Sequence, residues 1–351
     1  MSDTTLTDAE RPARRGGLLA TGGRRTLGLA GLLALLALFC VASLAVGSGD
    51  AALDAVWPAL TGYDGSNEHV IVRDMRLPRT LIGLAVGAAL GVAGGLMQAI
   101  TRNPLAEPGI LGVNAGAAFA IVTAIYVFGT ITPAGYVWFA FAGAAAAVTI
   151  VYLLGTMAGS RATPVTLALA GVVVTLLLDS WITLILVFNE RTLDEVRFWL
   201  AGSIAGRGLD ELTVLVPIFA VALLAGLLLG RQLNALSLGD EVARSLGANI
   251  TRVRVASALV VVILAGTAVA AAGPIGFVGL AVPHIARFLA GADYRWIQLY
   301  AVVLGPILLL GADVLGRVVA RPGEVQVGII TALLGAPLLI ALARRRKLAS
   351  T

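Results

Sequence analysis

Few residues in this chain are equipped for chemistry. It holds two histidines, His69 and His284, and a single cysteine, Cys40. Far apart in sequence, they make neither a metal cage nor a nucleophile–base set. No catalytic residue, metal ligand or cofactor is assigned, and the chain is not read as an enzyme. Its only lysine is Lys347, against 24 arginines, so a phosphate-cradling Gly-x-x-x-x-Gly-Lys-Ser/Thr loop is absent. Any ATP hydrolysis that drives this protein therefore belongs to another chain. One carboxylate, Asp179 in Leu178-Asp179-Ser180-Trp181, lies well inside an apolar stretch. A charge at the bilayer centre costs roughly 2.5–3.5 kcal/mol on insertion scales, and such residues face protein or water. Asp179 thus reads either as a satisfied polar contact nearer a helix end or as a pathway or proton site.

The most informative stretch runs from Gly95 to Gly116. An apolar helix enters a polar knot, Arg102-Asn103-Pro104-Leu105-Ala106-Glu107-Pro108-Gly109, and a second apolar helix leaves it through Gly112 and Asn114. Proline removes a backbone donor and clashes with the preceding turn, at about 3 kcal/mol inside a helix, so two prolines four residues apart exclude a continuous span. Irregular backbone at membrane depth survives only where it is buried in protein or lines water. Upstream, Arg76-Leu77-Pro78-Arg79 sets two arginines beside a proline that is expected to fix the entry turn of a helix, with both guanidiniums in the adjacent water layer. Either they snorkel at the interface, or they form a dock for the acidic side chains of a partner. Arg317 ends a later apolar stretch on the same side, with Asp313 four residues back on the same helix face. In Leu238 to Gly247, Asp240 is a candidate N-cap, Glu241 sits in the first turn, and Gly247 is a candidate stop. Such punctuation predicts a short, separately capped helix outside the bilayer, either a coupling element or an interfacial linker.

Membrane helices must position all of these. The chain is 58% hydrophobic and 13% charged, where soluble domains are about a quarter charged. Ten apolar stretches are long enough, or nearly so, for a bilayer core about 30 Å thick. They lie near 27–46, 80–101, 111–129, 134–157, 164–187, 211–230, 254–272, 278–290, 297–316 and 325–343. The eighth is short and holds Pro283, so a broken or partial helix is expected there. The class is all-α polytopic membrane protein. One permease domain at 27–343 lies between basic tails at 1–26 and 344–351. The first stretch has a longer core than a signal peptide, and bulky Phe39 precedes Cys40, so it reads as a retained helix. With both termini in the cytoplasm, 17 of the 25 basic residues fall inside, and the loops at 47–79 and 188–211 hold five acidic residues each outside. Gly83, Gly87, Gly91 and Gly95 share one helix face and predict close helix packing.

Five segments, in this order and spacing, resemble the permease subunits of ABC importers for ferric siderophores, haem and cobalamin. They are Arg76 to Arg79, Asn103 to Gly116, Gly239 to Gly247, Gly273 to Leu280 with Pro283-His284, and Gly328 to Pro337. The resemblance covers about 27–345. It implies a cobalamin-importer-like fold of ten helices and a second permease subunit, identical or different. It also implies a cytoplasmic ATP-binding cassette ATPase dimer, an extracytoplasmic substrate-binding protein and a place in the cell inner membrane; no nucleic acid is implied. By position, Arg76, Arg79 and Arg317 match the arginines that receive glutamates of the binding protein. Asn103 and Leu105 fall at the cytoplasmic narrowing of the pathway. Pro164 and Val165 fall at its companion gate, with side chains unlike the polar pair of the cobalamin branch. Asp240, Glu241, Ala243, Arg244, Leu246 and Gly247 match the loop that docks on the ATPase. Phe198 to Ser203 is closer to the siderophore branch, which makes a ferric siderophore the expected substrate, with haem or cobalamin as alternatives. From a different class, a proton-coupled secondary carrier using Asp179 is the competing reading.

Overall fold

The computed structural model describes residues 17–19, 21–47, 56–129, 133–157, 164–245 and 247–348. Its described residues form α1 (Gly22–Ala45), α2 (Val56–Thr61), α3 (Asn67–Val70), α4 (Leu77–Thr101), α5 (Val113–Phe128), α6 (Pro133–Met157), α7 (Pro164–Phe188) and α8 (Glu190–Leu200). The second half adds α9 (Leu209–Leu228), α10 (Gly230–Ser237), α11 (Asp240–Ser245), α12 (Ile250–Ala272), α13 (Val278–Ala290), α14 (Tyr294–Val319) and α15 (Val327–Leu348). Seven described helices are long and apolar enough to cross a membrane, and three shorter apolar ones lie at 113–128, 278–290 and 327–337. These ten correspond to the ten apolar stretches of the sequence.

The core is built around α4, which packs against α14, α12, α13 and α9. Its glycine ladder is the reason α14 can approach. Gly83 faces Leu310, Gly87 faces Gly305, Gly91 faces Ala301 and Gly95 faces Gln298, so the two helices run antiparallel with backbones nearly touching. A Cβ at Gly305 would lie 2.0 Å from the Gly87 carbonyl oxygen. Without a hydrophobic drive between helices in lipid, such close van der Waals approach is what holds them together.

Two prolines carry expectations about helix ends. Pro78 stands in the first turn of α4, as expected, but the chain is already helical from Asn67, with a π-helical segment at Ile71–Arg76 running directly into α4. The widened turns, in which Leu77 N–H bonds the Val72 carbonyl, relax the region where the Pro78 ring presses on the preceding turn. Pro283 does not break its helix; of the two forms expected, broken or partial, the partial one is found, with α13 about 20 Å long at 1.5 Å per residue. Gly279, whose carbonyl loses its helical donor to Pro283, packs directly on Gly94 of α4, where a Cβ would sit 1.9 Å from that oxygen.

Candidate functional site

Three clusters position the residues singled out by the sequence. The first closes the end of α1. Arg76 Nη1 donates to the carbonyls of Leu44 and Ala45, both at 2.9 Å. Arg317 Nη1 donates to the carbonyls of Ser43 at 2.9 Å and Val46, and its Nη2 lies 2.8 Å from Asp313 Oδ2. A helix end leaves its last carbonyls without partners, and cationic side chains complement that end of the dipole. Arg79 grips Asp313 from the other side, Nη2 to Oδ1 at 2.7 Å, and reaches Glu324 Oε2 at 2.7 Å. The structure thus brings Arg76, Arg79 and Arg317 together, and the pairing of Arg317 with Asp313 is present. It corrects their direction. Arg76 and Arg317 are 5% and 2% exposed and point inward, because the end of α1 and Val46 just beyond it offer four carbonyls without helical donors. Only Arg79, with 13% of its side chain accessible, lies at the rim.

The second cluster is the knot between α4 and α5. Arg102 ends α4 in the left-handed region at φ 51°, a conformation costing about 1–2 kcal/mol for a residue with a Cβ. Asn103 Oδ1 accepts the Leu105 N–H at 3.0 Å, and the Asn103 carbonyl accepts from Ala106, so the asparagine builds its own turn. Glu107 reaches out of the knot: its Oε2 accepts the backbone N–H of Phe277 at 3.1 Å. Phe277 is the other described non-glycine residue with positive φ, at 68°, and it precedes α13. Burial pushes the Glu107 carboxyl above its ordinary value, against the opposing pull of that N–H. Beyond Glu107, a short 3₁₀ turn at Pro108–Leu111 packs on α7, where a Cβ at Gly171 would lie 1.8 Å from the Ile110 carbonyl oxygen.

The third cluster is α11. Its stop is as expected: Gly247 has φ 79°, and the N–H groups of Gly247 and Ala248 bond the carbonyls of Arg244 and Ala243 in a Schellman arrangement. Leu246 lies outside the described residues. Ala243 is fully buried against the bundle, whereas Glu241, Arg244, Val242 and Leu238 face outward. Asp240 is not a simple N-cap. Its carboxylate bridges Arg102 Nη2 and Arg254 Nη2, the latter at 3.1 Å, while Arg102 also donates to the Leu236 carbonyl at 2.9 Å. Desolvation raises the Asp240 carboxyl, but Arg254 and Arg102 outweigh it and hold it below its ordinary value.

The model of the FecCD transport family matches residues 35–345, nearly the whole bundle that carries these clusters. The chain belongs to the FecCD transport family. It is 45% identical over 323 residues to the ferric enterobactin transport system permease protein FepD of Escherichia coli, covering 92% of this chain and 96% of that one. The probable siderophore transport system permease protein YfiZ of Bacillus subtilis is 46% identical over 290 residues, 83% of this chain and 87% of the relative. Among solved structures, a chain of an inward-facing ABC transporter of metal-chelate type superposes with a TM-score of 0.78 at 30% identity, covering 91% of this chain and 99% of that one.

In this FecCD permease, Pro164 and Val165, expected at a companion gate, lie at the start of α7. Val165 is 67% exposed, less than two turns before the contact between Gly171 and Ile110. Asp179 is also exposed on α7, and its carboxylate finds no hydrogen bond or ion pair among the described residues. Family membership replaces the proton-coupled carrier with an ABC importer permease. Three links escaped the sequence: Glu107 to Phe277, Asp240 to Arg102, and Asp313 to Arg79. Each spans 138 residues or more, and no local pattern points to any of them.

Proposed function

We propose that this permease carries an iron(III)–siderophore complex across the cell membrane, with both termini in the cytoplasm. A second permease subunit, identical or different, completes the pathway. An ATP-binding cassette ATPase dimer docks on α11 from the cytoplasm, and a substrate-binding protein delivers the complex from the opposite face. The observation that carries the reading is the near full-length similarity to permeases named for siderophore and ferric enterobactin transport, 46% and 45% identical. Support for α11 as the docking element comes from its form: capped, seated by Ala243, and exposing Leu238, Val242, Glu241 and Arg244. Asn103 and Leu105 form one side of the cytoplasmic gate, with Pro164 and Val165 on the other. Arg79 receives an acidic side chain of the binding protein, and Arg76 and Arg317 support it from behind by fixing α1 and Asp313.

The test is uptake of radiolabelled ferric enterobactin, ferric citrate and a ferric hydroxamate in cells lacking the chain. Complementation uses wild type or a variant with Glu241→Ala and Arg244→Ala. Restoration of one iron complex by wild type, with a membrane-inserted but inactive double variant, is the expected result. Restoration of haem or cobalamin uptake instead would overturn the iron assignment. Full activity of the double variant would overturn the coupling role of α11.

A further inference from the structure

The two described non-glycine residues with left-handed backbone stand at the two mountings of the gate knot, and each is held by one carboxylate from elsewhere in the chain. Arg102 begins the knot and is held by Asp240 at the start of α11. Phe277 is held through its N–H by Glu107, which ends the polar part of the knot. The two mountings differ in character. Phe277 is clamped: Gly335 of α15 lies so close that a Cβ there would fall 2.3 Å from the ring. Arg102 and Asp240 keep 40% and 30% of their side chains accessible, so this mounting lies at the surface, where it can shift without disturbing the core.

We infer that residues 102–107 act as a lever, with Glu107 on Phe277 as its fixed end and Arg102 as the arm through which α11 moves Asn103 and Leu105. The inference rests on the importer reading above and names how motion at the ATPase-facing helix reaches the gate. A shift of α11 carries Asp240 with it. Because Arg102 also donates to Leu236 just before α11, its guanidinium follows the α10–α11 unit rather than solvent. With the far end pinned, displacement of Arg102 turns the asparagine-built turn between them. Arg102 is a positioning residue in this scheme and touches no substrate.

The test separates backbone shape from the tether. Glycine adopts the left-handed conformation without strain but carries no guanidinium. In the complex with its ATPase, a single cysteine at Leu105 in a Cys40→Ala background reports gate access by its rate of labelling with a water-soluble thiol reagent. ATP should change that rate about fivefold or more, whereas Arg102→Gly should reduce the change to less than about twofold. Arg254→Gln removes the other arginine on Asp240, which makes no hydrogen bond or ion pair to the knot among the described residues, and should keep the full response. An unreduced response in Arg102→Gly overturns the lever, and so does equal loss in Arg254→Gln, which would assign the effect to the seating of α11. No response to ATP in the complex that carries only the reporter cysteine at Leu105 and Cys40→Ala overturns the importer reading itself. Should the glycine variant not accumulate, Arg102→Asn takes its place, since asparagine tolerates the same backbone and is too short to reach α11.

Discussion

Replacing Asp313 by Asn tests what the arginine cluster is for. The carboxylate is 1% exposed and accepts from Arg79 through Nε at 3.0 Å and Nη2 at 2.7 Å, and from Arg317 at 2.8 Å. Removing one partner of a buried ion pair costs about 3–5 kcal/mol, because the remaining charge has no water to return to. Here both arginines keep other partners. Arg79 retains Glu324, and Arg317 retains the Ser43 and Val46 carbonyls. The amide also retains one acceptor oxygen, so the lower end applies, roughly 3 kcal/mol. At about 2 °C per kcal/mol for a chain of this size, Tm should fall by roughly 6 °C. The assay is thermal unfolding of the purified permease in detergent, wild type and variant at one scan rate. Glu324→Gln is the control. Its side chain is 36% accessible, and loss of so exposed a pair should cost under about 1 kcal/mol, or less than about 2 °C. An Asp313→Asn shift no larger than that of Glu324→Gln would refute the buried anchor and return the arginines to the solvent-facing role expected from sequence.

Other perturbations follow from the same geometry. Gly305→Ala would place a Cβ 2.0 Å from the Gly87 oxygen and should destabilise by about 1–3 kcal/mol, read as lower Tm and membrane abundance. Gly31→Ala in α1, with no neighbour within 4 Å, should instead be neutral or stabilising by about 0.5–1 kcal/mol. Because burial raises the Glu107 carboxyl, its contribution to stability is present below the ordinary glutamate value and lost as pH rises through the raised one. Glu107→Gln, whose amide oxygen can still accept the Phe277 N–H, should flatten that decline in a pH series of thermal scans; an unchanged slope would exclude Glu107 as its source. Single cysteines at Trp57 and Glu241 in a Cys40→Ala background should react with an impermeant thiol reagent from outside and only after permeabilisation, respectively. The reverse pattern would invert the proposed topology.

Much of this molecule was legible without coordinates because the governing rules are local. A helix crossing lipid must satisfy every backbone group within itself and show an apolar surface, so ten stretches of composition locate ten helices. Backbone restrictions at Pro104, Pro108 and Gly247 act within a turn, which is why the break after α4 and the stop after α11 fall where the residue types require them. The glycine ladder announced a close helix contact, although not that α14 would fill it. The tertiary structure alone decided where charges point. Arg76 and Arg317 turned inward because the end of α1, some 30 and 270 residues away in sequence, presented carbonyls they could satisfy. Asp240 became a bridge because Arg102 arrived from 138 residues away. Phe277 adopted a glycine-like backbone because Glu107 and Gly335 hold it from two other segments. Propensity and hydropathy are sums over neighbours along the chain, whereas the partner of a buried charge is set by which helix ends meet in space.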